Sequence, residues 1–302
     1  MQIPTLKQLK YLIALDEHRH FGKAAEASFI SQSAFSIAIK ELESILKVQL
    51  VERNKKNITV TNIGRAVIDQ ARICLNELDA LTNIAANAQQ PLSGKLTMGV
   101  IPTIAPFLLP PLIPESKKKF PNLDLFLRED KTSNLLEQLL AGELDLILLA
   151  LPYPMSRVSV MPLFEDAFIL ACCKESKWFE GSERKVERLP DESILLLEDG
   201  HCLREHALGA CHILQSDQVS RFSATSLQTL LQMVAADIGV TFVPTMASQA
   251  LETAGLNLEL HKMANDSYRE IGLVWRKYSS RSEEFEMLGA LIKSLQQKHG
   301  QQ

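Results

Sequence analysis

The segment from Gly64 to about Gln89 constrains the fold most, because it contains no proline and no internal glycine. Its apolar residues are spaced alternately by four and three positions, which predicts one long helix with a heptad seam. The seam consists of Val67, Ala71, Cys74, Leu78, Leu81, Ala85 and Ala88. Such a seam favours pairing of two copies of the chain, although packing on its own chain stays open. We therefore expect a dimerisation helix at 63–89 and a hinge at 90–94.

The N-terminal domain, residues 1–62, has the spacing of a helix-turn-helix. Leu6, Leu9 and Ile13 share one helical face, and a short helix rich in small residues follows from Gly22. The polar stretch 31–33 can turn the chain and cap a third helix. The buried stripe of that helix would be Phe35, Ile39, Leu42 and Leu46.

The other side of the third helix is suited to contact double-stranded promoter DNA. Side chains near the N-terminus of such a helix usually reach base edges, and here they are Gln32, Ser33, Ser36, Ile37 and Lys40. A basic turn before a β-prone run predicts a hairpin wing on the phosphate backbone, with Arg53, Lys55 and Lys56 as its cations. Each pattern alone also fits a packing unit or a solvated face, but their order favours a winged helix-turn-helix.

Charge and cysteine content agree with this division. Residues 1–60 hold 9 Lys and Arg against 6 Asp and Glu, whereas residues 61–302 hold 23 against 30, so only the N-terminal part suits a polyanion. The apolar runs are too short to cross a bilayer and the N-terminus lacks a signal-peptide pattern, so we expect a cytoplasmic protein without a membrane partner. Five cysteines in such a protein argue against a static disulfide framework.

The N-terminal motifs resemble those of the LysR-type transcriptional regulators, and the resemblance extends over essentially the whole chain. It rests on Phe21-Gly22-Lys23-Ala24-Ala25, Ser31-Gln32-Ser33-Ala34-Phe35-Ser36, Ile39-Lys40-Glu41-Leu42-Glu43, Glu52-Arg53 and Thr61-Asn62-Ile63-Gly64. It implies a non-enzymatic activator that forms homodimers or homotetramers and contacts RNA polymerase. Ser33 stands where the family often has proline, so promoter preference cannot be carried over.

From residue 95 onward, apolar runs alternate with amphipathic stretches, which predicts a doubly wound α/β domain with a largely parallel sheet. The expected strands are 95–101, 123–127, 144–151, 167–172, 194–197, 239–243 and 271–275, and the expected helices include 133–141 and 281–297. This count fits two lobes around a ligand cleft. The LysR resemblance implies the same periplasmic-binding-protein-like architecture, with lobe I at about 95–165 and 269–302 and lobe II at about 166–268. No nucleotide-binding glycine motif occurs, and we expect no cofactor.

Residues 197–212 concentrate thiols, imidazoles and an arginine as no other segment does. Cys202 lies between His201 and Arg204, where a short helix could start. Nearby cations and a helix N-terminus would lower the pKa of the Cys202 thiol, and thiolate is the form that peroxide oxidises. Arg204 could stabilise that thiolate or the leaving hydroxide. Cys211, nine residues on, is then placed to resolve the sulfenic acid.

Geometry would make that disulfide a switch. If residues 203–210 are helical, the two Cα atoms lie roughly 13 Å apart, whereas a disulfide tolerates at most about 7 Å. The bond then requires the segment to refold, which would change how the DNA-binding domains meet a promoter.

The same segment resembles the hydrogen-peroxide-sensing OxyR subfamily of these regulators. The matching residues are Gly200-His201-Cys202-Leu203-Arg204, Ala207, Gly209 and Cys211. The resemblance implies that Cys202 is the peroxidatic thiol and Cys211 the resolving thiol. It also implies a peroxide pocket with His201, Thr103 and Thr132, and activation of oxidative-stress genes. A cytosolic thiol reductant would reset the switch.

Three alternatives stay open. Zinc could bind His201, Cys202, His206, Cys211 and His212, but no paired metal-ligand spacing occurs and we expect no metal. A regulator of this family could instead respond to a small metabolite in the interlobe cleft, held at the capping pattern 225–228, with both thiols inert. A thiol peroxidase would have no use for the DNA-binding domain. The adjacent Cys172 and Cys173 most simply serve as buried packing.

Overall fold

The fold comes from a computed structural model that describes residues 3–53, 58–86, 92–179, 186, 189–210, 216–263 and 267–299. The chain divides into two compact units, one of residues 1–88 with 140–143 and one of 89–139 with 144–302. Within the described ranges, no helix is both long and apolar enough to span a membrane.

The first unit is a winged helix-turn-helix followed by a long helix. Its elements are α1 Leu6–His18, α2 Phe21–Ala27, α3 Gln32–Leu46, the antiparallel hairpin β1 Val51–Arg53 and β2 Ile58–Val60, and α4 Asn62–Ala86. The side chain of Ser31 caps α3 by accepting from the Ala34 N–H at 3.3 Å. The predicted stripe of α3 is confirmed, because Phe35, Ile39 and Leu42 are fully buried and Leu46 packs against the same core.

Helix α4 divides its apolar residues between the core of its own unit and solvent. Ile68 and Ala71 are buried, and Val67 packs against the core of the winged helix-turn-helix. Cys74 is exposed and Leu78 half-buried, Leu81 is 62% exposed, and the side chains of Ala85 and Ala88 lie outside the described residues. Of the described seam residues beyond Ala71, Cys74 and Leu81 are therefore uncovered in the single chain, and pairing of the seam with a second copy stays a prediction.

The second unit is an α/β domain. Its first half contains β3 Gly94–Val100, α5 Ala105–Lys119, β4 Leu123–Glu129, α6 Thr132–Leu140, β5 Leu146–Leu151 and β6 Val158–Cys173. Its second half contains β7 Ile194–Leu197, α7 Cys202–Ala210, β8 Val219–Ala224, α8 Leu227–Ala235, β9 Thr241–Pro244, α9 Ser248–Thr253, β10 Leu258–Lys262, β11 Tyr268–Arg276 and α10 Ser282–His299. Seven strands form one sheet in the order β10-β6-β11-β5-β3-β4, with β9 also paired to β6, and β7 pairs with β8.

The sheet is less parallel than the sequence predicts. Strand β3 is parallel to β4 and β5, but β11 runs antiparallel to β5 and β6. Strand β6 is 16 residues long, whereas the sequence predicts only its second half, because Pro162 and charged residues interrupt the first half. Its first half pairs with β11 and its second half with β9 and β10, so it runs through both hydrophobic cores of the domain.

A buried ion pair joins the neighbouring strands β6 and β11. Asp166 on β6 and Arg269 on β11 are cross-strand partners, and both Nε and Nη2 of Arg269 lie 3.0 Å from Asp166 Oδ2. Both residues are at most 2% exposed. Burial raises the pKa of Asp166, and the positive charge of Arg269 opposes that rise. Because two charges are desolvated together, each depends on the other for compensation.

Replacing Asp166 by Asn should lower the free energy of unfolding by about 3 to 5 kcal/mol, because Arg269 keeps its charge in a buried position. Urea unfolding of the full chain can be followed by the fluorescence of Trp178 and Trp275, the two tryptophans of the protein, both in the second unit. The matched control is Glu165→Gln at the exposed neighbouring position, which should change stability by less than about 0.5 kcal/mol. An equal loss of unfolding free energy in both variants would contradict a stabilising role of the Asp166–Arg269 pair.

Candidate redox site at the carboxyl ends of the strands

Predicted site residues meet on three segments that follow strands. Thr103 follows β3, Thr132 begins α6 after β4, and Cys202 begins α7 after β7. In open α/β sheets, the carboxyl ends of the strands are where ligands bind. The backbone of Gly200 has φ +89°, a left-handed conformation that favours glycine, and it directs the chain from β7 into α7.

Cys202 is the centre of this group. Its Sγ lies 2.5 Å from the hydroxyl of Thr132, and the pair is buried. The thiol packs into the core formed around β3, β5 and β11, whereas Leu203 and Ala207 of the same helix pack into the core around β7 and β9. Helix α7 therefore contacts both hydrophobic cores of the domain.

The pKa of the Cys202 thiol is raised, chiefly because the thiol is buried. The hydrogen bond from Thr132 and the positive charge of Arg269 both oppose the rise. The sequence predicted a lowered pKa from nearby cations and a helix N-terminus, and that direction is wrong in this conformation, since desolvation outweighs them. The predicted helix start is confirmed, because α7 begins at Cys202.

His201, the residue before Cys202, is buried. Its pKa is lowered, first by burial and then by the charge of Lys131. A neutral imidazole carries both a donor and an acceptor nitrogen. His201 is thus available to exchange a proton or hydrogen-bond a polar ligand at this position.

Arg204 is engaged next to the site. Its Nε lies 2.9 Å from Asp199 Oδ1, and Nη1 donates to the Leu197 carbonyl oxygen at 3.2 Å. These contacts brace the turn before α7, and the role predicted for Arg204 at the thiolate stays a prediction. Cys211, the predicted resolving thiol, and His212 lie outside the described residues.

The cation whose charge opposes the rise in the pKa of Cys202 is Arg269, which the sequence analysis does not single out. Its Nη1 donates to Thr103 Oγ1 at 2.9 Å and its Nη2 donates to the Thr103 carbonyl oxygen at 3.0 Å. Asp166 holds the guanidinium from the other side. The sequence does contain a signal for this ion pair. Asp166 and Arg269 each lie close to an apolar strand run, and charged side chains are buried only when they are paired.

A cavity of about 220 Å³ opens beside these residues. Its lining includes Thr103 and His201 together with Phe107, Glu129, Leu197, Ser226, Gln228 and Leu231. A capped helix start is confirmed here, but it lies one residue later than the predicted pattern at 225–228: the Ser226 hydroxyl accepts from the Thr229 N–H at 3.2 Å and caps α8. A small polar ligand can therefore reach the hydroxyl and imidazole groups of the site.

The predicted DNA-contacting residues are accessible on α3. Gln32, Ser33, Ile37 and Lys40 are exposed, and Ser36 is half-buried. Arg53 ends β1, but its side chain lies outside the described residues, as do Lys55 and Lys56.

Comparison with known proteins identifies the family to which each unit belongs. Residues 6–65 match the bacterial regulatory helix-turn-helix protein of the lysR family, and residues 89–297 match the LysR substrate binding domain. The DNA-binding transcriptional dual regulator OxyR of Escherichia coli K12 is 37% identical over 295 residues, which cover 98% of this chain and 97% of that protein. The chain belongs to the OxyR family of LysR-type transcriptional regulators. These are non-enzymatic DNA-binding regulators.

Solved structures of the OxyR family have the same fold. A full-length OxyR variant from Pseudomonas aeruginosa is 32% identical with a TM-score of 0.81, covering 97% of this chain and 96% of that one. The reduced regulatory domain of OxyR2 from Vibrio vulnificus is 43% identical with a TM-score of 0.65, covering 68% of this chain and 97% of that domain. An H2O2-bound OxyR mutant from Corynebacterium glutamicum is 33% identical with a TM-score of 0.66, covering 98% and 94%.

Replacing Thr132 by Val removes the hydroxyl at the Cys202 sulfur while keeping the shape of the side chain. The pKa of Cys202 should rise further, because this hydrogen bond lowers it. A hydrogen bond to a charged group contributes about 1.5 to 3 kcal/mol, so alkylation of Cys202 at neutral pH should slow roughly tenfold to a hundredfold.

The rate of iodoacetamide addition to Cys202, followed by mass spectrometry across pH, measures this effect. Ser133→Ala removes the exposed hydroxyl of the next residue and should leave the rate unchanged. An unchanged rate in Thr132→Val would show that the hydroxyl does not act on the thiol.

Proposed function

We propose that the protein is a hydrogen-peroxide-responsive DNA-binding transcription regulator. Peroxide oxidises Cys202, Cys202 forms a disulfide with Cys211, and the refolded 200–212 segment changes promoter engagement to activate oxidative-stress genes. The observation that carries the proposal is a buried thiol at the start of α7, hydrogen-bonded to Thr132 and under the charge of Arg269. Relatives from Escherichia coli and Haemophilus influenzae are named hydrogen peroxide-inducible genes activators.

The chemistry requires no cofactor. The Cys202 sulfur attacks one peroxide oxygen, the O–O bond breaks, and the leaving hydroxide takes the thiol proton, giving Cys202 sulfenic acid and water. The Cys211 sulfur then displaces the sulfenic hydroxyl, which leaves as a second water with the Cys211 proton. Arg269 and Thr132 supply a positive charge and a hydroxyl where negative charge develops on sulfur and oxygen. Two electrons pass from the thiols to peroxide.

The disulfide requires α7 to open. Helix α7 spans Cys202–Ala210, and eight residue steps at about 1.5 Å put its first and last Cα atoms about 12 Å apart. The chain can step back by only about 3.8 Å per residue, whereas a disulfide tolerates at most about 7 Å between Cα atoms. Formation of the disulfide would therefore be coupled to a conformational change of this segment.

The remaining partners complete the proposed cycle. The exposed part of the α4 seam pairs two chains as a homodimer, which can assemble into a homotetramer, and α3 of each chain reads one half-site of promoter DNA. The oxidised form contacts RNA polymerase. The protein acts in the cytoplasm, where a thiol reductant reduces the disulfide and resets the switch.

One observation favours a second candidate function. The cavity of about 220 Å³ beside Thr103 and His201 is larger than peroxide needs, and α8 begins at its wall. A LysR-type regulator that binds a small metabolite in the interlobe cleft would use the same cavity with Cys202 as a packing residue. The two functions differ in whether Cys202 is needed for the response.

Exposing the reduced full-length protein to micromolar peroxide should give an intramolecular Cys202–Cys211 disulfide. Mass spectrometry after alkylation of remaining thiols maps the bond. Cys172 and Cys173, both buried, should stay alkylatable after denaturation and serve as internal controls. If Cys202 and Cys211 both remain alkylatable, the sensor function is excluded.

The Cys202→Ser variant separates the two candidate functions. It should keep DNA binding and lose the change in footprint caused by peroxide, because the seryl hydroxyl is not oxidised. If the footprint of Cys202→Ser still changes when a cell extract freed of peroxide is added, the result would instead support the metabolite-binding regulator.

Replacing Lys40 by Ala should weaken binding to duplex DNA selected with the native protein. One phosphate contact fewer should reduce the slope of log affinity against log salt by about 0.9. Fluorescence anisotropy at several salt concentrations measures the slope. Lys277→Ala removes the same charge from an exposed position in the second unit and should leave the slope unchanged; equal effects would contradict a DNA contact at Lys40.

A further inference from the structure

A second cysteine lies in a cluster of possible metal ligands on β6 and β10. Cys172 of β6 and Glu259 of β10 are cross-strand partners, and His261 lies two residues further along β10. Side chains two residues apart on a strand, and those of directly opposed residues, point to the same face of a sheet. The Cys172 sulfur, a Glu259 carboxylate oxygen and a ring nitrogen of His261 all lie within 4.8 Å of one another.

The imidazole of His261 has an unused nitrogen. Its Nε2 is buried and, among the described residues, has no hydrogen-bond partner. Glu259 Oε2 lies 3.2 Å away, but the angles do not form a hydrogen bond. Because a buried polar atom without a partner costs free energy, the nitrogen is suited to a ligand that approaches along its lone pair.

We propose that Cys172, Glu259 and His261 bind a divalent transition-metal ion, with Zn²⁺ as the ion that fits best. Thiolate, imidazole and carboxylate are the ligands that zinc takes in proteins. On binding, the Cys172 thiol releases its proton to solvent and a sulfur–metal bond forms. One thiolate and one carboxylate neutralise the two positive charges of the ion, so the complex carries no net charge where Cys172 is fully buried.

The exposure of two of the three ligands gives the ion a way in. The side chain of Glu259 is 43% exposed and that of His261 26%, so the ion can arrive from solvent and keep a water molecule. Strand β10 is the outer strand of the sheet, and a metal bound to both strands would hold it on β6. The site is separate from the Cys202 thiol and does not depend on the proposed peroxide chemistry.

Titration of the reduced full-length protein with Co²⁺ tests the proposal, because tetrahedral cobalt with a thiolate ligand absorbs through sulfur-to-metal charge transfer and visible d–d bands. We expect both sets of bands in the native protein, and Zn²⁺ should displace the cobalt and abolish them. Cys172→Ser should lose the charge-transfer band, and His261→Ala should weaken cobalt binding at least tenfold.

Two cysteine variants serve as matched controls. Cys173 is the next residue, is buried, and accepts a hydrogen bond from the Asn257 amide at 3.2 Å, and its side chain points to the opposite face of β6. Cys173→Ser and Cys202→Ser should both keep the full spectrum. Absence of the charge-transfer band in the native protein, or its persistence in Cys172→Ser, would overturn the proposal.

The melting temperature of the native protein tests the proposal without relying on variants that could misfold. Zn²⁺ should raise the melting temperature of the native protein, and a chelator should reverse the rise, because the metal binds the folded state. Glu259→Gln, at a partly exposed position, should retain the fold and at least halve this rise. An unchanged melting temperature with Zn²⁺ in the native protein would also overturn the proposal.

Discussion

The buried pair of Asp166 and Arg269 is the interaction on which the second unit depends. It sits where β6 and β11 pair between the two hydrophobic cores, so one ion pair serves both the architecture and the site. Arg269 also holds both oxygens of Thr103 and lowers the pKa of Cys202 through its charge. Removing either partner would leave the charge of the other uncompensated in a medium of low dielectric constant. The fold thus delivers a fixed positive charge to a buried thiol.

Much of the fold could be predicted from local pattern. The stripe on α3, the strand at 194–197 and the helix that starts at Cys202 follow from periodicity and capping chemistry, which act between close neighbours in sequence. Arg269 and Asp166 are 103 residues apart, and no local pattern brings them together. Helix α5 was also missed, because Pro110, Pro111 and Pro114 lie inside it and proline normally disfavours a helix interior.

The environment of Cys202 could not be predicted for a different reason. Sequence places cations and a helix start near the thiol, but the pKa depends on how much water the fold removes, which only packing decides. Helix α7 has two attachments: Cys202 packs into one core, and Leu203 and Ala207 pack into the other. Burying a leucine side chain contributes roughly 1.5 to 3 kcal/mol. Opening α7 breaks the contacts of these three side chains with the two cores. The free energy lost with so few contacts is modest, and formation of one disulfide bond can compensate for it.

The length of β6 has a consequence for cooperativity. A strand that contributes to both cores cannot lose its pairing in one half without exposing the edge of the other, so the two cores should behave as one foldon rather than two. Slow amide hydrogen exchange would then extend evenly along β6 through Asp166, with no step between the two cores. Opening of α7, which lies outside this shared strand, can occur by local unfolding while β6 stays protected.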